Sequence, residues 1–168
     1  MSEIMTPNDA NFLGKVFGGR ILSLVDLCAY TTAARFSGEV CVTASFDKVD
    51  FHEPIDVGEV VSMIGMVTYV GRTSVEVTIE VFAENVFKQV KRHTNTARVT
   101  MVAIRDGRPV PVPRLIFESR EDKVRFLLGV ARRKHGSESV QVRRALEGRL
   151  ADCTDEDLDL LLNDPQAI

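Results

Sequence analysis

The segment Val16 to Arg35 limits the fold more than any other part of this chain. Ile21, Leu24, Val25, Cys28, Ala29 and Thr32 recur at the i, i+3, i+4, i+7 spacing of one buried helical stripe. Leu22, Leu27 and Ala33 lie off that stripe, so the predicted helix is apolar around most of its circumference. Such a helix must be enclosed by other structure. A chain of 168 residues has enough material for one hydrophobic core and not for two. The rest of the chain must therefore wrap the helix, and a single sheet of the available length covers only part of it.

The wrapping material follows directly. Val40 to Phe51 alternates Val42, Ala44 and Phe46, then shifts phase so that Val49 and Phe51 carry the apolar set. Val60 to Val70 is apolar on both faces, as in a central strand. Thr73 to Glu84 alternates cleanly, with Val75, Val77, Ile79, Val81 and Ala83 on one side, and Thr96 to Arg105 is a further β-rich run. Gly71-Arg72 reads as a hairpin turn in which glycine supplies positive φ, and Asp106-Gly107 as a second turn, so neighbouring strands pair antiparallel. Met1 to Lys15 reads as loop, with Pro7, Asn8, Asp9, Asn11 and Gly14 as turn residues. Ser119 to Lys134 is predicted as a second helix with Ser119 as N-cap and Arg132, Arg133 and Lys134 at its C-terminus. The expected architecture is α+β, with a domain over residues 1–134. Residues 135–168 then form a polar tail carrying a short acidic helix at Thr154 to Leu162.

Composition excludes several classes. Hydrophobic residues are 45% and charged residues 27%, which is ordinary for a globular domain, and the net charge of −3 supplies no basic excess for nucleic acid. Cys28, Cys41 and Cys153 have neither metal nor redox spacing, and their odd number argues against a disulfide framework. No N-terminal apolar region and no apolar run of spanning length is present, so a cytoplasmic chain with no membrane partner is expected.

Asp26 is the most informative polar residue. It stands mid-helix among Leu22, Val25, Leu27, Cys28, Ala29 and Tyr30, and a lone carboxylate is costly to bury unless paired or hydrogen-bonded. An exposed helix edge or a distant arginine partner accounts for it about as well as a catalytic role. Gly18-Gly19 at the helix start would let a ligand approach free backbone N–H groups at the positive end of the dipole, although tight packing explains a Gly-Gly pair equally. Asn11 in the preceding loop offers an amide donor, with turn chemistry as the ordinary explanation. Cys28, on an apolar stripe, reads as packing.

Taken in order, Asn11, Gly14, Phe17-Gly18-Gly19, Asp26, Val42-Thr43-Ala44-Ser45, Val49-Asp50-Phe51, Pro54-Ile55, Val57-Gly58, Val70 to Val77 and Ala97 to Ala103 resemble the hot-dog-fold acyl-CoA thioesterases. The likeness is closest to their cytosolic acyl-CoA hydrolase branch. It ends at Gly107-Arg108-Pro109 and Val112-Pro113 and covers about two-thirds of the chain. The resemblance implies a long helix wrapped by a curved antiparallel sheet, with two such units side by side as a homodimer or a trimer of dimers. It implies hydrolysis of acyl-CoA to free acid and CoA, in lipid metabolism, with no metal and no cofactor other than the CoA of the substrate. Asp26 would be general base or nucleophile, and Asn11 would come from the opposite unit. The backbone around Gly18 and Gly19 would polarise the carbonyl. Arg72, Thr73 and Ser74 resemble the part that meets CoA, with Arg92, His93, Thr94 and Asn95 near the same groove.

Arg20 departs from the family pattern, in which an apolar or aromatic residue is common, and this leaves acyl-chain preference open. Two rivals remain on the same fold. A non-catalytic acyl-CoA sensor would need only the groove. A hydratase would use a histidine on the central helix, where none of His52, His93 or His135 lies.

Overall fold

The computed structural model describes residues 1–47, 49, 51–154 and 156–157. Strand β1 (Ser2–Ile4) is followed by a 3-10 turn (Pro7–Asp9), helix α1 (Gly18–Ser37) and strands β2 (Val40–Phe46), β3 (Val60–Val70), β4 (Ser74–Asn85), β5 (Val90–Arg105) and β6 (Arg108–Pro109). Helix α2 (Arg120–Ala151) comes last. Among the described residues the strands form one antiparallel sheet in the order β1-β3-β4-β5-β2, with β6 paired to β5. This is the hot-dog arrangement that the sequence leads one to expect.

Met1–Leu127 and Leu128–Ile168 form two compact units. In the first, α1 lies against one face of the sheet. Ile21, Leu24, Val25, Cys28, Ala29 and Ala33 are buried together with Val75, Val77, Ile79, Val81 and Ala83 of β4 and Ala97, Val99, Met101 and Ala103 of β5. Gly65 of β3 lets the helix come close. A Cβ at that position would stand 2.4 Å from Thr32 Oγ1 and 3.2 Å from Cys28 Sγ. The helix ends at Gly38, which takes φ 72° and donates its N–H to Ala34 O.

The single sheet covers only one side of α1. Leu27 and Tyr30 stay 50% and 41% exposed. Cys28 is buried, and burial pushes its thiol up, which fits packing and not nucleophilic chemistry.

The structure corrects the sequence reading in five places. At the turn after β3, Gly71 does not take the positive φ expected of it, because Gly71 N closes the turn onto Ser74 O with no residue of 71–74 at positive φ. Met1 to Lys15 is not all loop, because Ser2–Ile4 pairs with Val60–Ser62 at the sheet edge. Strand β5 starts at Val90, six residues before Thr96, so Arg92 to Asn95 lie in a strand that carries a register shift between Val81 and Phe82 of its partner. In β2, Cys41 and Thr43 pair with Ala103 and Met101 of the buried row, while Val42 is 44% exposed. The apolar set Val42-Ala44-Phe46 is therefore out of phase until the irregularity between Thr43 and Ser45 brings Phe46 opposite Val99. Of the expected strand Val40–Phe51, residues 48 and 50 lie outside the described residues.

Helix α2 is the fifth correction. Its start is as expected: Ser119 Oγ accepts from Asp122 N at 3.1 Å, and Asp122 Oδ2 accepts from Ser119 N at 3.0 Å. It does not stop at Lys134. Gly136, Ser137 and Ser139 are weak helix formers, but the serine hydroxyls donate back to Lys134 O and Gly136 O at 2.7 and 3.0 Å. The i,i+4 pairs Lys134–Glu138 and Arg143–Glu147 extend the ladder. Of the acidic helix expected at Thr154 to Leu162, only Thr154, Glu156 and Asp157 are among the described residues.

One ion-pair group fixes the base of the first unit. Glu59 is 3% exposed. It accepts from Arg92 Nη1 at 2.6 Å and Nη2 at 2.8 Å, while Arg92 also meets Glu53 at 2.9 Å and Pro54 O at 2.7 Å. The Arg92 hydrogen bonds hold the Glu59 carboxyl below the usual carboxylate range. A depressed carboxylate stabilises the fold fully above the unfolded value and loses that contribution as pH falls through the folded value. Arg92→Met should therefore lower stability by about 3 kcal/mol at pH 7. In urea melts the gap to wild type should close as pH drops below about 4. A gap unchanged between pH 7 and 3 would rule this pair out as the cause.

Candidate active site

Helix α1 begins at Gly18 with Phe17 in the N-cap position and no side-chain cap. Arg20 N and Ile21 N donate to Phe17 O, at 2.9 and 3.4 Å. The N–H groups of Gly18 and Gly19 have no acceptor among the described residues, as expected for the first two positions of a helix. At position 19 a Cβ would stand 2.3 Å from Phe17 Cε1, so any larger residue there would turn the exposed Phe17 ring aside. At Gly18 the nearest neighbour is the Phe51 ring, 3.6 Å from where a Cβ would sit. Two free donors thus stand at the positive end of a helix between two half-exposed aromatic rings, an arrangement suited to a developing oxyanion.

Asp26 is half-buried two turns further on. Thr43 Oγ1 donates to its Oδ1 at 2.5 Å and also touches Met101 Sδ at 3.4 Å. Among the described residues no cation pairs with Asp26, so the distant arginine partner considered from sequence is not there. With one carboxylate oxygen held by a hydroxyl, the other is available to a water or a substrate. Thr43 was not singled out from sequence. Its signal was the phase of β2: reading the buried row from Cys41 instead of Val42 puts Thr43 on the helix side.

Asn11 organises the loop before α1. Its Oδ1 accepts from Leu13 N at 2.9 Å and Lys15 N at 3.2 Å, and its backbone pairs with Lys15 O and Gly14 N. Turn chemistry is therefore real, but it uses the oxygen. Among the described residues the Nδ2 hydrogens have no acceptor. Phe12 and Leu13 beside it are 96% and 72% exposed. Lys15 anchors the far side of the loop through Asp56 at 2.5 Å.

The four substrate-binding candidates do not come together. Arg72 and Thr73 lie in the turn between β3 and β4, closed by Gly71 N donating to Ser74 O at 2.8 Å, while Ser74 is the buried first residue of β4. Arg72 is exposed and has no ion pair among the described residues. Arg92 pairs with Ala83, nine residues along β4 from Ser74, which is about 30 Å at the rise of a strand. Its donors are taken by Glu53, Glu59 and Pro54. The ladder row Thr43–Met101–Val75 puts the Arg72 turn on the Asp26 side of the sheet.

Among the described residues no cluster of three or more His, Cys, Asp or Glu could hold a metal, and no helix is long and apolar enough to cross a membrane.

Comparison with known proteins bears on the family and the fold. The model of the thioesterase superfamily matches residues 13–86. A Bacillus subtilis protein named as an uncharacterized acyl-CoA thioester hydrolase, YkhA, is 38% identical over 69% of this chain and 68% of its own. An apo-hexameric acyl-CoA thioesterase superposes with a TM-score of 0.80 at 34% identity, over 83% of this chain and 90% of that one. An acyl-CoA hydrolase of Staphylococcus aureus, solved with butyryl coenzyme A, coenzyme A and coenzyme A disulfide, gives a TM-score of 0.76 at 29% identity, over 90% and 93%. Helix, sheet order and matched residues lead to one conclusion: this chain belongs to the thioesterase superfamily and has its hot-dog fold.

Proposed function

We propose that this chain hydrolyses acyl-CoA thioesters to a free carboxylic acid and CoA, at sites that each need two copies of the chain. The carrying observation is the Asp26 carboxylate, held by Thr43 and free of any described cation. It acts as general base on a water, or attacks the thioester carbon itself. In either case the C–S bond breaks, the sulfur leaves as CoA thiolate and takes up a proton, and water supplies the acid's second oxygen.

The distance along α1 supports a shared site. Gly18 and Gly19 precede Asp26 by eight and seven residues, about 11 Å at the helical rise. That separation, with exposed apolar residues at both ends of it, favours a site shared between copies over one built within a chain. A two-fold pair with antiparallel helices puts the Gly18-Gly19 donors and Asn11 Nδ2 of one copy beside Asp26 and Thr43 of the other. The exposed Leu27 and Tyr30 beside Asp26, and the exposed Phe12 and Leu13 beside Asn11, are the apolar surfaces such a pair would cover. Variants of the staphylococcal hydrolase with an asparagine, an aspartate and a threonine each replaced by alanine have been solved. Those residues stand in the same order and at the same separations as Asn11, Asp26 and Thr43. The hexameric neighbour supports further association of such pairs. The exposed Arg72, with Thr73 and Ser74, supplies the cationic turn for CoA phosphate on the Asp26 side.

Asp26→Asn should reduce kcat by roughly 10²-fold or more while the fold survives. Thr43→Val, which keeps shape and removes the donor, should lower kcat about 10-fold, the scale of one charged hydrogen bond. Release of CoA followed with a thiol reagent across a panel of acyl-CoAs measures both. Near wild-type turnover of Asp26→Asn would refute the mechanism, and no turnover by the wild type on any acyl-CoA would favour the sensor.

Inactive Asp26→Asn and Asn11→Ala parents should regain activity when co-refolded, because one site per pair then receives both intact residues. Mixtures that never exceed the parents after confirmed exchange would overturn the shared site.

Arg72→Ala should raise KM more than it lowers kcat, and the loss should shrink at high salt as exposed charge pairing is screened. An unchanged KM at low ionic strength would leave Arg72 to the turn alone.

A further inference from the structure

Arg20 occupies the third position of α1, where the helix dipole disfavours a cation. The structure gives it two carboxylates: Nε donates to Asp9 Oδ1 at 2.8 Å, and Nη2 bonds to Glu3 of β1. Asp9 is the more buried partner, its side chain 12% exposed. Its Oδ2 accepts from Thr6 N at 2.7 Å and Thr6 Oγ1 at 2.6 Å. Its backbone O accepts from Phe17 N at 2.8 Å, immediately before the free Gly18 and Gly19 donors. Asp9 is two residues from Asn11, and the intervening Ala10 bridges to Val16. A single carboxylate thus ties the start of the Asn11 loop to the start of the helix, and Arg20 holds that carboxylate. The guanidinium is directed to these acids, not to an acyl chain.

Resting on the shared-site reading above, we infer that Arg20 and Asp9 are positioning residues for the reaction at the partner copy's Asp26, setting the Asn11 amide and the Gly18-Gly19 donors at one angle. Arg20 is six residues from Asp26 on the same helix, yet it serves the other site. Asp9 is ionised throughout the neutral range, because the Thr6 hydrogen bonds and then Arg20 hold its carboxyl below the usual range, so the clamp is complete at working pH.

The test is complementation. Arg20→Gln and Asp9→Asn keep side-chain size, and folding is checked by circular dichroism and melting. Each should lower kcat about 10-fold or more with KM changed less than about 3-fold, the pattern of a contact made in the transition state. Arg20→Lys, which keeps the charge, should restore part of the loss. Co-refolded with Asp26→Asn, the Arg20→Gln chain should recover activity, up to about a quarter of wild type per protomer for random pairing. Co-refolded with Asn11→Ala it should not, because both defects then fall on the donated arm. The inverse pattern, recovery with Asn11→Ala and none with Asp26→Asn, would place Arg20 with its own Asp26 and overturn the inference alone. Equal recovery with both, or losses that track melting temperature in every pairing, would reduce the clamp to a structural role. Failure of the control pair Asn11→Ala with Asp26→Asn would overturn the shared site, and the inference with it.

Discussion

The contact between α1 and β3 at Gly65 fixes where everything else can be. Without a side chain there, the strand backbone sits against Thr32 and Cys28, and the helix lies low on the sheet. That seat sets the rotation of α1 about its own axis. Ile21, Leu24, Val25, Cys28 and Ala29 turn inward, and Asp26 comes to the margin, where the edge strand β2 brings Thr43 within hydrogen-bond distance. A Cβ at Gly65 would force Thr32 off its bond to Cys28 O or lift the helix. Either change would move the carboxylate relative to β2.

The polar groups divide along the same helix into two sets with different electrostatics. Near the N-terminus the charges are neutralised in the free chain: Arg20 with Asp9 and Glu3, Lys15 with Asp56, Arg92 with Glu59 and Glu53. Near Asp26 the balancing is left to one hydroxyl. A carboxylate that is to take a proton or attack carbon needs lone pairs not already spent on a cation, and a neutral donor such as Thr43 orients it without occupying both oxygens. The exposed Arg72 is the converse case, a cation with no described acid beside it, as a group reserved for phosphate would be.

Much of this was legible in the sequence because the signals were periodic or positional. The 3.6-residue period of α1 and the alternation of Val75 to Ala83 each name one geometry, and the helix, β3, β4 and both hairpins lie where the signals put them, although only Gly107, and not Gly71, takes the positive φ of a hairpin glycine. The errors fall where local signals compete. The polar run Arg92 to Asn95 looks like loop because its side chains spend themselves on Glu59, Phe82 and Val81 O, contacts made only by the folded sheet. Thr43 was hidden because an edge strand can bury either alternation, and Cys41 and Val42 are both apolar. The second half of α2 was missed because glycine and serine weaken helix propensity, which back-bonding hydroxyls and ion pairs offset. For Asp26, Asn11 and the glycines, composition could only list alternatives. The resemblance to the hot-dog thioesterases, carried by the order of these residues along the chain, is what narrowed them.

What remains is why the Asn11 arm should be so well held in a single chain. Its apolar tip faces solvent there, and while Asn11 Oδ1 accepts from Leu13 N and Lys15 N, its Nδ2 has no described acceptor. Ordering a flexible segment at the moment of association would subtract from the binding free energy, on the order of 1 kcal/mol per immobilised side chain and more for backbone. Asp9, Thr6, Arg20, Lys15 and Asp56 make those restraints within the chain beforehand. In the proposed pair, association would then have only to cover apolar surface that is already shaped. The donors would reach the carboxylate as a set, because one clamp holds both the loop and the helix start. A loosely held arm could contact a partner equally often and still present its amide at many angles, and catalysis by oriented dipoles loses most of its effect when the angles are averaged.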